Sequence, residues 1–302
     1  MNKLQIMALR ERRLISLSGE DRRAFLQGLV TNDVEKLTDE RILWAAYLTP
    51  QGRFLHEFML IDDPKQQRIL IDCANDDSMM ALGKSLRSHV LSYQVKLTIE
   101  SDLACAILLN EADQNIKNQN IKNIDPYLAL PDPRGLGIRL YVQKDQLALY
   151  DDHIARAAFD YERIKAAIPA QAMDLIPERS LLLETNFDML GGVSWEKGCY
   201  RGQELTARTK YRALIKKRLM PVQIEAGNLE AGQKILDDTG LEIAHITSAS
   251  KDIGLALMPF KALMQHGMDQ VFFTEKGAKL LLLKSMPLWL KEMIDQMMQE
   301  RV

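Results

Sequence analysis

Cysteine is scarce. Three occur in 302 residues, Cys73, Cys105 and Cys199, an odd and widely spaced set. Such a set excludes a disulfide framework and reads as a reducing compartment. There is no Cys-x-x-Cys pair and no His/Cys cluster, and the five histidines (His56, His89, His153, His245 and His266) show no metal-ligand spacing. No zinc or iron–sulfur site of the chain's own is expected. An excess of one charge sign is also lacking: 39 Lys and Arg stand against 41 Asp and Glu. Any argument about a charged partner therefore rests on local clusters. No run of 18 apolar residues exists to span a membrane. The N-terminal MNKLQIMALRERRLISLSGEDRR has no long apolar run before a small-residue cleavage site, and Glu11, Glu20 and Asp21 come too early for a transit peptide. The expectation is a cytoplasmic protein.

What is present is globular: 47% hydrophobic and 26% charged residues. The length points to two or three domains. Arg13–Leu17 reads as a strand, followed by a helix capped at Ser18 with the buried stripe Phe25, Leu26, Leu29 and Val30. Thr31-Asn32-Asp33 breaks it. LWAAYL and RFLHEFMLI flank the turn Thr49-Pro50-Gln51-Gly52 as a hairpin. Strands at 68–74, 93–100, 103–109 and 137–142, with a helix from Ser78 to Ser88, make an α+β sandwich with a mostly antiparallel sheet. QNIKN occurs twice in succession, at 114–118 and 119–123, and reads as a slipped insertion in a surface loop. A helix follows at about 152–167. After Met220-Pro221, closely spaced short strands over 219–283 read as a small β-barrel. Leu290, Met293, Ile294, Met297 and Met298 then line one face of a terminal docking helix that starts at Pro287.

Three stretches carry chemistry. In RFLHEFMLI, His56 and Glu57 fall on opposite faces of a strand, each among apolar neighbours. The strand alone suggests a half-solvated sheet face, with a site that uses the Glu57 carboxylate as the alternative. Residues 197–218 hold eight Lys and Arg and one acid, Glu204, with Tyr200 and Tyr211 interleaved. That stripe suits a phosphate, an RNA or a polyanionic ligand, or a solvated helix face. Within it, Cys199 stands between Lys197 and Arg201 and between Gly198 and Gly202, just ahead of a helix start at GQELTAR. Flanking cations favour a thiolate. The residues leave two readings open: an exposed reactive thiol, or a small side chain packed under a turn.

KGCYRGQE followed by AR resembles the signature of the YgfZ group of folate-binding proteins. These are relatives of the glycine-cleavage T protein, an aminomethyltransferase, and act in iron–sulfur protein maturation. LSGEDRRAFLQGLVTNDV, AAYLTPQGRFLHEFML, PDPRGLGIRL and IPERSLLLETN are also similar to that group, so the likeness covers nearly the whole chain. It implies an α+β, T-protein-like fold: three domains around a central tetrahydrofolate site, two of them α/β sandwiches and the third a small β-barrel. Residues 1–46 and 151–215 would form a discontinuous first domain, 47–150 a ferredoxin-like second, and 216–302 the barrel with its helix. The resemblance assigns Glu57, Arg139, Glu184 and Lys197 to folate binding, together with Tyr200, Arg201, Gln203 and Arg208. It makes Cys199 the reactive thiol, serving a metal–sulfur client, an acceptor sulfur or a redox partner. Two departures from T protein stand out. Glu57 replaces an aspartate, and Arg139 replaces a glutamate that reads the pterin; a cation cannot accept the pterin's amino hydrogens. The implied function is a folate-binding factor for assembly or repair of iron–sulfur enzymes, tRNA-modifying ones included. Tetrahydrofolate, in its polyglutamylated forms too, is the cofactor, and iron–sulfur client proteins are the partners. The alternatives are a folate-dependent one-carbon transferase, and an RNA- or protein-binding module that uses the basic stripe to contact tRNA.

Overall fold

The computed structural model describes residues 5–74, 76–109, 126–150, 153–212, 214–263 and 267–299. The QNIKN repeat lies outside the described residues. The chain divides into two compact units. One comprises residues 1–50, 55–156 and 191–203; the other comprises 51–54, 157–190 and 204–302.

The first unit holds two antiparallel sheets. Strands β1 (Gln5–Ala8), β2 (Arg12–Ser18), β3 (Leu43–Leu48), β4 (Phe54–Asp63), β5 (Arg68–Ala74), β6 (Lys96–Glu100), β7 (Leu103–Leu109), β8 (Leu128–Pro131) and β9 (Ile138–Gln143) build them. The five-stranded sheet runs β3-β4-β5-β2-β6 and the four-stranded sheet β1-β7-β9-β8. Two helices, α1 (Arg22–Gln27) and α2 (Asp76–Arg87), cover one face of the larger sheet. Alternation along the strands explains this face: Ile15, Leu17, Ile69, Ile71, Phe58 and Leu60 share a buried core with Phe25, Leu26, Val30, Leu82 and Leu86.

The cap of α1 and the division of the chain differ from expectation. Asp21, not Ser18, stands at the N-cap position of α1, and its carboxylate accepts from the Gln94 backbone N–H. The cause is Gly19, at φ +112°, where a Cβ would lie 2.0 Å from the Gln94 carbonyl oxygen. The chain passes against that neighbour before it can turn into a helix. The expected boundary at 46/47 falls inside β3, which belongs to one sheet with β2, β4 and β5. Likewise 151–215 does not stay together: 157–190 belong to the second unit and 191–203 to the first.

In the second unit, β10 (Lys217–Ile224), β11 (Lys234–Leu236), β12 (Glu242–Ser250), β13 (Ile253–Pro259), β14 (Val271–Thr274) and β15 (Lys279–Leu282) form a closed barrel, ordered β10-β13-β12-β11-β14-β15. Helix α3 (His153–Lys165) contributes Ile164 to the barrel's apolar cluster. After α4 (Gln203–Tyr211) and the barrel, α5 (Leu288–Gln299) inserts Leu290 and Ile294 into the same cluster, with Met293 and Met297 partly buried beside them. Among the described residues no helix is long and apolar enough to cross a membrane.

Candidate functional site

Cys199 is exposed, whereas Cys73 and Cys105 are buried. Burial pushes the Cys73 thiol up to about 12 and holds the Cys105 thiol well above its ordinary value. The loop that carries Cys199 is built by its flanks. Lys197, only 8% exposed, turns inward. Its Nζ donates to the carbonyl oxygens of Gln27 (2.8 Å), Val30 (2.8 Å) and Asn32 (2.7 Å), at and just beyond the end of α1. Burial lowers the pKa of this amine to about 8. Tyr200 is buried, with the Lys197 Nζ 5.2 Å from its ring centre. Arg201 donates its backbone N–H to the Gly28 carbonyl oxygen at 3.1 Å. Its guanidinium lies over the Tyr47 ring, with Nε donating to the Leu48 carbonyl oxygen and Nη1 donating to His89 Nε2 at 3.2 Å. Gly202 then takes φ +78°, and α4 begins at Gln203. Cys199 is thus exposed rather than packed under the turn.

Glu57 and Arg139 are also internal. Glu57 is 4% exposed and Arg139 2% exposed, so the half-solvated face expected for RFLHEFMLI does not exist. Instead a charge network joins the two sheets of the first unit. Arg12 donates to Glu57 Oε1 and, through Nε, to Asp72 Oδ1 at 2.6 Å. Arg139 donates from Nη1 to Asp72 Oδ2 (2.5 Å) and from Nε to Asp132 Oδ2 (2.9 Å). Arg134 holds the other side of Asp132 and lies 5.4 Å over the Trp44 ring. Trp44 Nε1 donates to Glu57 Oε2 at 2.8 Å, and Tyr141 Oη donates to Asp72 Oδ2 at 3.2 Å. Three guanidiniums thus meet three carboxylates. Burial opposes the charged form of each acid, and the arginines outweigh it, holding Glu57, Asp72 and Asp132 below the usual carboxylate range.

Sequence reasoning missed Arg12, Trp44, Asp72, Asp132 and Arg134. Asp72 had a signal: an acid inside the apolar run RILIDCA. Asp132 and Arg134 were read only as turn residues of PDPRG.

The remaining expected site residues are Glu184, Gln203 and Arg208. Glu184 accepts an ion pair from Lys217 at 3.7 Å, and burial raises its pKa despite that lysine. Gln203 is half-buried at the start of α4 and Arg208 is exposed on it. The charges of Glu57 and Arg139 are engaged inside the first unit. Among the described residues no group of three His, Cys, Asp or Glu side chains could hold a metal ion.

His56, on the opposite face of β4, is buried, and burial lowers its pKa from 6.5 to about 4. The unfolded chain takes up this proton first as pH falls. The contribution is therefore complete above pH 6.5 and lost on descent toward pH 4. A shift of that size corresponds to about 3 kcal/mol. Urea unfolding across this range should show His56→Gln losing most of the pH slope; an unchanged slope would place the acid sensitivity elsewhere.

Comparison with known proteins agrees with this architecture. The family model of the CAF17 C-terminal β-barrel domain matches residues 216–284. A crystal structure of glycine cleavage system aminomethyltransferase T from Bartonella henselae superposes with a TM-score of 0.71, covering 94% of this chain and 85% of that one at 14% identity. That likeness establishes a shared fold. The chain is 30% identical over 279 residues to the mouse iron-sulfur cluster assembly factor IBA57, mitochondrial, covering 82% of this chain and 75% of the mouse protein. The human counterpart is 29% identical over 303 residues, covering 92% and 83%. A homolog from Neurospora crassa is 32% identical over 256 residues, and one from Aspergillus oryzae 28% over 270; the chain spans 58% and 60% of their lengths. All four relatives are named as mitochondrial, which overturns the expectation of a cytoplasmic protein. Free thiols persist in any reducing compartment, so the cysteine count never separated cytoplasm from organelle. On these matches, and with a T-protein-like fold ending in a β-barrel, the chain belongs to the IBA57 family of iron–sulfur cluster assembly factors.

Proposed function

We propose that the chain supports iron–sulfur cluster assembly by meeting client proteins through the Cys199 thiol, tRNA-modifying enzymes among the clients. The observation that carries this reading is the contrast among the cysteines: two are buried in sheets, and the third is presented on an anchored, exposed loop. Restoring the chain to cells that lack it should restore iron–sulfur enzyme activity. If those enzymes are equally active with and without the chain, the reading fails.

One-carbon transfer is disfavoured. Both oxygens of Glu57 accept internal hydrogen bonds and Arg139 bridges two aspartates, so the groups that would handle the reacting end of a folate are already paired. Tetrahydrofolate binding is retained on the T-protein-like fold alone, with the exposed cations of α4 as contacts for its carboxylate tail. Polyglutamylated tetrahydrofolate should then bind more tightly than the monoglutamate at low salt. The gain should vanish near physiological ionic strength, where exposed charges are screened over about 8 Å. Calorimetry at two salt concentrations measures this, and equal affinities at low salt would end the idea of tail recognition. The RNA-binding reading is weakened by the stripe itself. Lys197 is spent on carbonyls, Lys217 on Glu184 and Arg218 on Asp188.

A further inference from the structure

Thr31, Asn32 and Asp33 precede Cys199 by more than 160 residues, yet they hold the segment leading to it. The Thr31 Oγ1 donates to the Gly192 carbonyl oxygen at 2.7 Å and accepts from the Ala46 backbone N–H at 2.9 Å. The Ser194 N–H donates to the Thr31 carbonyl oxygen at 3.0 Å. Asn32 Nδ2 donates to the carbonyl oxygens of Trp44 (2.7 Å) and Gly191 (2.8 Å). The turn therefore clips residues 191–194 onto the start of β3. Asp33 fixes the turn itself: its Oδ1 accepts from Gln27 Nε2, and its backbone N–H donates to Asn32 Oδ1.

Lys197 completes the arrangement. An ammonium has three protons and no acceptor, and all three point at backbone carbonyls, one of them that of Asn32. The Gln27 carbonyl is the last of α1, where the helix dipole is negative and favours a cation; those of Val30 and Asn32 belong to the turn that follows. Asp33 is the charged neighbour of the amine, while Lys36 beside it is paired with Glu196 on the surface. On the far side of Cys199, the Arg201 N–H is tied to Gly28 of the same helix end. Gly198 and Cys199 are left exposed between two anchored residues.

We propose that Lys197 and the Thr31-Asn32-Asp33 turn form one positioning unit that holds the Cys199 loop in its outward presentation. The lysine of the KGC motif then serves to place the thiol rather than to bind an anionic ligand. This rests on the reading of Cys199 as the working thiol, and the test separates the two.

A nitroxide label attached to the folded full chain reports on Cys199, since Cys73 and Cys105 are buried. Its spectrum should be motionally restricted in the wild type. In Lys197→Met and in Asn32→Ala the correlation time should shorten by at least about threefold, as an unanchored loop gains nanosecond motion. Lys197→Arg, which keeps the charge and several donors, should recover part of the restriction. In cells lacking the chain, unlabelled Lys197→Met should restore at least about fivefold less iron–sulfur enzyme activity than wild type, an effect of the size expected when a working group loses its placement. An unchanged spectrum in Lys197→Met overturns the anchor. A loosened loop with full restoration overturns its functional half. If Lys197→Met fails to fold, Asn32→Ala decides, because it removes the bonds to Trp44 and Gly191, with the one from the Asp33 N–H, without leaving the lysine's three carbonyls bare. Full restoration by Cys199→Ala would instead refute the thiol reading and leave the label spectra to judge the anchor.

Discussion

Cys199→Ala is expected to melt at the wild-type temperature and to restore none of the iron–sulfur enzyme activity in cells that lack the chain. The first half follows from exposure: the Cys199 side chain fills no core site, and surface substitutions of this kind stay within about 0.5 kcal/mol. The second half follows from the loop. Two glycines and two anchored basic residues frame a thiol that contributes nothing visible to packing. The buried cysteines are the internal control. Iodoacetamide should modify Cys199 in the folded protein, while Cys73 and Cys105 react only after unfolding, because burial both shields them and disfavours their thiolates. Complementation by Cys199→Ala at the wild-type level would reduce the motif to a structural one.

Asp72→Asn should produce the largest loss of stability. The Asp72 carboxylate accepts from Arg12, Arg139 and Tyr141 and is fully buried. An amide keeps the shape but removes the charge, leaving three guanidiniums to share two carboxylates away from water. Removing one partner of a buried pair costs about 3–5 kcal/mol. For a chain of this size the melting temperature should fall by roughly 10 °C. The double variant Asp72→Asn, Arg139→Met should recover part of the loss, since it withdraws the stranded cation as well. Calorimetric melting of the three proteins gives the answer. A single-variant loss below about 1 kcal/mol would mean that water or a relaxed geometry compensates the arginines, and that the network is not the joint between the two sheets.

The sequence by itself determined most of the secondary structure; it singled out Cys199 but left its exposure open, and the structure decided it. Alternation in RFLHEFMLI and the apolar run RILIDCA gave strands, the stripe Phe25, Leu26, Leu29 and Val30 gave a helix that in the structure already ends at Gln27, and the short strands after Met220 gave the barrel. Each of these is a local pattern, repeated within a few residues, that a chain expresses wherever it folds. Glycine on both sides of Cys199 marked that loop for the same reason. Tertiary structure decided what the charges do. A strand's alternation tells which of two faces a side chain takes, so it separated His56 from Glu57. It cannot tell whether a face is covered, and here both are. The partners of Glu57 come from β2 and β3, and those of Arg139 from β5 and the turn before β9. In the same way, Lys197 reads as surface charge beside a cysteine until its three carbonyl acceptors arrive from about 170 residues earlier in the chain. A buried charge takes its meaning from whichever groups neutralise or hydrogen-bond it. Those groups were brought together by the packing of distant segments, which no local pattern records.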